Sequence, residues 1–175
     1  MARASFGGKS NTMKSRRKSS NSDEAVRRHL IELLRGGQAH ATFDQAVKRF
    51  PLELVGKRPK GSPHSAWELL EHLRLAQSDI LRFSQSADYV SPPWPEGYWP
   101  ATPAPDRASQ WAASVRKIRK DLAEFETLIA DPTQDLYRPF AWGDGQTLLR
   151  EALLIADHNS YHVGQLILVR KMVEK

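Results

Sequence analysis

Histidines at three positions carry the chemistry this chain can offer. His158 and His162 lie four residues apart in Asp157-His158-Asn159-Ser160-Tyr161-His162-Val163-Gly164-Gln165. On a helix they stand one above the other on a single face. His72, in Leu69-Leu70-Glu71-His72-Leu73, belongs to a second helical pattern. Three imidazoles drawn from two helices would bind a divalent metal and leave positions open to water, the arrangement of catalytic rather than structural sites. The chain has no cysteine, so thiolate ligands and disulfides are excluded and any metal must take nitrogen or oxygen donors.

Beside three neutral imidazoles the ion keeps its full charge. Water in an open position would have a lowered pKa, and a thiol there would be deprotonated and nucleophilic. The His-x-x-x-His pair invites comparison with metalloprotease helices, which set a glutamate base directly after the first histidine. Here that place is Asn159, which takes no proton, so peptide hydrolysis is disfavoured. Glu71 and Asp157 each precede a histidine by one residue, about 100° around the helix, and are expected to point away from the metal. Glu68, four residues before His72 on the same face, either orients that imidazole or stands as a partly exposed helix residue. Tyr161 either donates to a bound molecule or packs at the edge.

Four long helical patterns must position these groups, and no strand is convincing. The first runs from an N-cap at Ser22 to about Phe50, with Leu30, Leu33, Leu34, Phe43, Ala46 and Val47 at helical spacing. Gly36-Gly37 interrupts it, as a break, a kink or a point of close approach. The second starts near His64-Ser65 and ends near Gln85. The third spans about Asp106 to Ala130 and stops at Asp131-Pro132. The fourth runs from about Gln146 to Val173. Tyr89 to Pro105 holds six prolines with Trp94, Tyr98 and Trp99, too many for regular structure. It reads as a long ordered crossover between the second and third helices, its aromatics forming a lid or anchoring the loop. The architecture implied is all-α, an up-and-down four-helix bundle with its site built inward from facing helices.

Whether the histidines meet can be tested by counting, because antiparallel neighbours rise equally, about 1.5 Å per residue. From the first loop, His72 falls level with about residue 41, next to His40. Counted through the third helix, it falls level with about residue 157, next to His158. His40 is therefore a candidate fourth ligand, general base or polar pocket residue. His29 is expected to be an ordinary helix histidine and His64 a capping or loop residue.

These residues resemble the DinB-like superfamily of metal-binding four-helix-bundle proteins, related to thiol-dependent transferases. The resemblance covers about Glu24 to Val173 and is carried by His64-Ser65-Ala66-Trp67-Glu68-Leu69-Leu70-Glu71-His72 and by Asp157-His158-Asn159-Ser160-Tyr161-His162-Val163-Gly164-Gln165-Leu166. It implies a bundle that is often dimeric, with nickel or zinc held by His72, His158 and His162. Members of the superfamily include transferases joining a small thiol to an electrophile and thiol-dependent isomerases, and with the site's chemistry the expectation is a metal-dependent enzyme, either such a transferase or a small-molecule hydrolase. The alternative is a non-catalytic metal-binding or interaction module.

Charge separates the chain into two parts. Lys and Arg number 26 against 20 Asp and Glu, yet six of the bases lie in residues 1–22, which hold no acid. Residues 23–175 are thus balanced and form the expected domain, while 1–22 read as a disordered basic tail, with Met13 an alternative start. Nucleic acid is an unlikely partner on this distribution, since only the tail could make salt-sensitive, sequence-blind contacts. With no apolar leader and no membrane-length apolar run, the expectation is a cytoplasmic protein acting on a small molecule.

Overall fold

A computed structural model describes residues 10–175 of the protein, with side chains from residue 21 onward. It contains five α-helices and no strand among the described residues. They are α1 (Ser10–Arg35), α2 (Phe43–Val47), α3 (Ala66–Gln85), α4 (Ala108–Ala130) and α5 (Leu148–Val173). Short 3₁₀ turns occupy Leu52–Leu54 and Glu96–Tyr98. No described helix is long and apolar enough to cross a membrane.

The first expected helix is two. Gly36 and Gly37 take φ of 66° and 86°, left-handed values that no helix continues through and that glycine adopts without a Cβ penalty. The chain restarts at Thr42, whose side chain accepts from the Gln45 amide while the Gln45 side chain accepts from the Thr42 amide, a capping box. At its other end α1 begins at Ser10, ahead of the expected start at Ser22. The segment expected to be a tail, residues 1–22, lies partly outside the described residues. His29 is exposed and meets Glu32 at 3.1 Å.

The other boundaries follow from local chemistry. Ser65 caps α3, accepting from the Glu68 amide, and the Glu68 carboxylate returns to the Ser65 amide. Thr147 caps α5 by accepting from the Arg150 amide. Asp131 ends α4 with an extended ψ of 113°, as the following proline requires. Buried Arg27 of α1 donates to the carbonyls of Ile129, Asp131 and Gln134 at 2.8, 2.9 and 2.6 Å, satisfying acceptors left open at the end of α4.

Helix α3 lies against both α4 and α5, and α1 lies against the same two. Their apolar residues form two clusters. One joins α2 to the first half of α3, the first half of α4 and the last half of α5, with Leu70, Trp111 and Leu166 at its centre. The other joins α1 to the opposite halves, with Leu81, Phe125 and Ile155. The switch between clusters falls between Leu73 and Ile80 on α3 and between Ala156 and Val163 on α5. His158, Asn159 and His162 occupy that interval on α5, and Gln77 occupies it on α3, with His72 at its border. Apolar packing on both sides thus clamps a polar layer. Each fully buried large side chain in those clusters contributes about 1.5–3 kcal/mol.

Candidate metal centre

Helices α3 and α5 bring His72, His158 and His162 together. Each offers a ring nitrogen, and the three lie within 4.8 Å of one another. The Nε2 atoms of His72 and His158 are 3.0 Å apart. Ring centroids are separated by 4.9 Å (72–158), 4.6 Å (72–162) and 4.5 Å (158–162). His72 and His162 are buried and His158 is half-buried.

Second partners fix which nitrogen faces inward. His72 Nδ1 lies 2.9 Å from the Tyr98 carbonyl oxygen. A carbonyl only accepts, so Nδ1 carries the hydrogen and Nε2 the lone pair. His162 Nδ1 donates likewise to Gln165 Oε1 at 2.7 Å, freeing its own Nε2. With the His72 Nε2 unprotonated, the 3.0 Å contact is a donation from His158 Nε2. That hydrogen must leave Nε2 for all three nitrogens to ligate.

Protonation is suppressed throughout. Burial, reinforced by the neighbouring His162 and His72, pushes His158 down to about 4. Burial and His72 push His162 down to about 4 against the opposing pull of Gln165. Burial also lowers His72, the Tyr98 carbonyl resisting. Neutral imidazole is the ligand form, so this donor set suits a divalent ion of intermediate softness such as zinc or nickel.

The three histidines form one end of an open cleft of about 460 Å³. Ala76, Ile80, Leu154 and Trp94 supply apolar wall, and Asp79, Asp157, Tyr98 and Tyr161 supply polar groups. Among the described residues no Lys or Arg lines it. Tyr161 is exposed, its ring edge-on to His162 at 4.9 Å. Trp99 is sandwiched between two histidine rings, 4.1 Å and 5° from His72 and 4.0 Å and 15° from His64. His64 is thus a stacking residue of this loop rather than a helix cap, a place Ser65 takes.

Several expected placements differ. His40 is not among the three. It sits beyond the glycine break, exposed, with Nδ1 bonded to the Ala41 carbonyl at 3.0 Å. It lines a separate small pocket with Asn159 and Ser160. The level counting assumed a continuous helix to Phe50, and the break removes that assumption. Glu68 does not orient His72. Its carboxylate is held by the Ser65 amide at 2.8 Å and by the Arg58 guanidinium. Burial pushes its pKa up, but Arg58 and Ser65 outweigh this and hold it low. The Ser65-x-x-Glu68 spacing is a capping-box signature that foretells this engagement. Asp157 lines the cleft instead of turning away, because the cleft spans Leu154 to His162, an arc wider than the 100° between adjacent residues. Glu71 does turn away, towards Arg74 at 2.7 Å and Ser114.

Sequence reasoning missed the Tyr98 carbonyl, a main-chain atom that no side-chain pattern reveals. It also missed Gln165 as the partner of His162, although the three-residue spacing on one helix face signals it. Asn159 turns from the cleft, donating to Gln77 Oε1 at 2.8 Å, and Gln77 donates to the Ile118 carbonyl at 2.8 Å. The place of a protease base is therefore outside the cleft as well as chemically unsuited.

A family model described as the DinB superfamily matches residues 25–166. Neither the comparison with curated proteins nor that with solved structures finds a match.

Proposed function

The chain belongs to the DinB superfamily, and from that premise we propose that it is a metal-dependent enzyme acting on a small molecule. Its four long helices are read as an up-and-down four-helix bundle with a long crossover between α3 and α4. The observation that carries the proposal is the convergence of three neutral histidines at one end of a cleft large enough for a substrate. His72, His158 and His162 would hold the ion, nickel or zinc. The ion would supply Lewis acidity that lowers the pKa of a thiol or water taken up beside it.

The protein's own residues define what enters. Ala76, Ile80, Leu154 and Trp94 take an apolar portion, while Asp79 and Asp157 disfavour an anionic one in that half of the cleft. Tyr161 stands exposed at the mouth, where its hydroxyl can donate to a bound molecule. The reaction classes that fit are transfer of a small thiol to an electrophile and hydrolysis of a small molecule. A cytoplasmic location and a homodimer complete the reading. A purely structural metal is less well supported, because it calls for a closed four-ligand site and His40 lies in another pocket.

Metal analysis of protein purified without a histidine tag tests the first step. The expected result is about one equivalent of divalent ion per chain, the stoichiometry of a single closed or open site. Less than about a tenth of an equivalent, with no uptake on titration, refutes it. Screening small thiols against electrophiles, with and without metal, then separates transferase from hydrolase. Turnover unaffected by metal removal would count against the enzyme reading.

A further inference from the structure

The α3–α4 connection is usually read as cover, but here one residue ties it to the ligands. Tyr98 uses both ends. Its carbonyl accepts from His72 Nδ1 at 2.9 Å, and its hydroxyl donates to Asp79 Oδ2 at 2.8 Å. His72 and Asp79 are seven residues apart on α3, two turns along one face, so Tyr98 lies along that face and is fixed at two points. Trp99, the next residue, stacks on the His72 ring at 4.1 Å and 5°.

Asp79 keeps the hydroxyl end in place. Burial, then the Asp79 carboxylate, raise the Tyr98 hydroxyl well above its usual range, so it remains a donor. Tyr89, in the same connection, is raised by burial and by Asp79 as well. Asp79 Oδ1 is buried with no hydrogen-bond partner, so the carboxylate is engaged through Oδ2 by the Tyr98 hydroxyl, with the Tyr89 hydroxyl as a further neighbour.

We propose that Tyr98 is a positioning residue for the metal site. Held by Asp79, its carbonyl sets the tautomer and plane of His72, which makes the α3–α4 connection part of the ligand scaffold. This rests on the three-histidine reading. It adds that the site's affinity depends on two residues that touch no ion.

The test is zinc affinity by competition with a chromophoric chelator, on the full chain, for wild type, Tyr98→Phe, Asp79→Leu and the double variant. Leu136→Ala, a fully buried residue of the α1-side cluster, controls for lost stability. Tyr98→Phe and Asp79→Leu, which removes the acceptor of the Tyr98 hydroxyl, should each weaken zinc binding by about tenfold, the scale of losing an outer partner of a metal-bound histidine. The double variant should lose no more than the worse single one, since both break one link. Leu136→Ala should bind zinc like wild type while melting lower. Cobalt-loaded Tyr98→Phe should show a shifted visible band. The proposal is overturned if both single variants bind zinc within about twofold of wild type, a change too small for a lost outer partner. It is also overturned if Leu136→Ala loses as much affinity as they do. If wild type itself takes up neither zinc nor nickel, the metal reading falls and this proposal with it, an outcome distinct from the other two.

Discussion

Helix α5 has a histidine-lined cavity on each of two sides, and the two differ in almost every respect. On one side His72, His158 and His162 converge in a cleft of about 460 Å³. On the other, His40 lines a pocket of about 30 Å³ with Asn159 and Ser160. Residue type and approximate level along the helices are shared. What differs is rigidity of origin. His72 and the pair on α5 project from long helices clamped by apolar clusters, whereas His40 follows two left-handed glycines and bonds its own neighbour's carbonyl. Fixed helical backbones let the three imidazoles converge, whereas a segment that follows a glycine pair does not aim His40 at them.

Replacing His158 with alanine should have the largest effect on this contrast. Loss of a ligand should weaken metal binding by more than about 100-fold, the upper end for losing merely an outer partner. Titration calorimetry would read it, and retained affinity would remove the distinction between the two sides.

Acid comes next. His158 and His162 are held at about 4, against about 6.5 for an unfolded histidine. Between those values the unfolded chain binds more protons, so the metal-free fold is at full stability above about pH 6.5. The part governed by these two histidines declines as pH falls and stops changing below about 4, while Glu68, held low by Arg58 and Ser65, adds a further loss in stronger acid. Melting temperatures across that range should show the decline, and His162→Ala should flatten it while His40→Ala should not.

Gln165→Ala frees His162 Nδ1 and should cost roughly tenfold in metal affinity, with melting nearly unchanged. Gly37→Ala tests the break itself. An added Cβ would meet Thr42 Cγ2 at 2.9 Å in a left-handed backbone, so chemical denaturation should show a loss of about 1 kcal/mol or more, with metal affinity preserved. Smallest of all, His40→Ala should shift stability by no more than about 0.5 kcal/mol and leave metal binding as it was. A clear loss of affinity there would join the two cavities into one site.

The parts of this arrangement that were legible in the sequence are those carried by side chains at helical spacing. His158 and His162 follow from a four-residue interval, and His72 follows from counting across antiparallel helices. Helix starts near His64-Ser65 and Gln146 lie within a residue or two of the observed ones, which Ser65 and Thr147 set by capping. His40 was misplaced because a glycine pair can break a helix or merely bend it, and only the φ values decide. Glu68 was misassigned because one carboxylate satisfied two patterns, second partner to His72 and closing member of a capping box, and the local pattern prevailed. The Tyr98 carbonyl was out of reach, since a proline-rich segment has no periodicity from which to place its main-chain atoms.

Gln77 and Asn159 have a consequence beyond the one hydrogen bond that joins them. Their hydrogen bonds string α5 to α3 and α3 to α4. Sliding α3 against α5 by one turn, about 5.4 Å, would break the Asn159–Gln77 bond and part His72 from His158 by about the same distance. The amide pair therefore acts as an index mark that sets helix register before any ion arrives. Being uncharged, it keeps that setting as salt and pH vary.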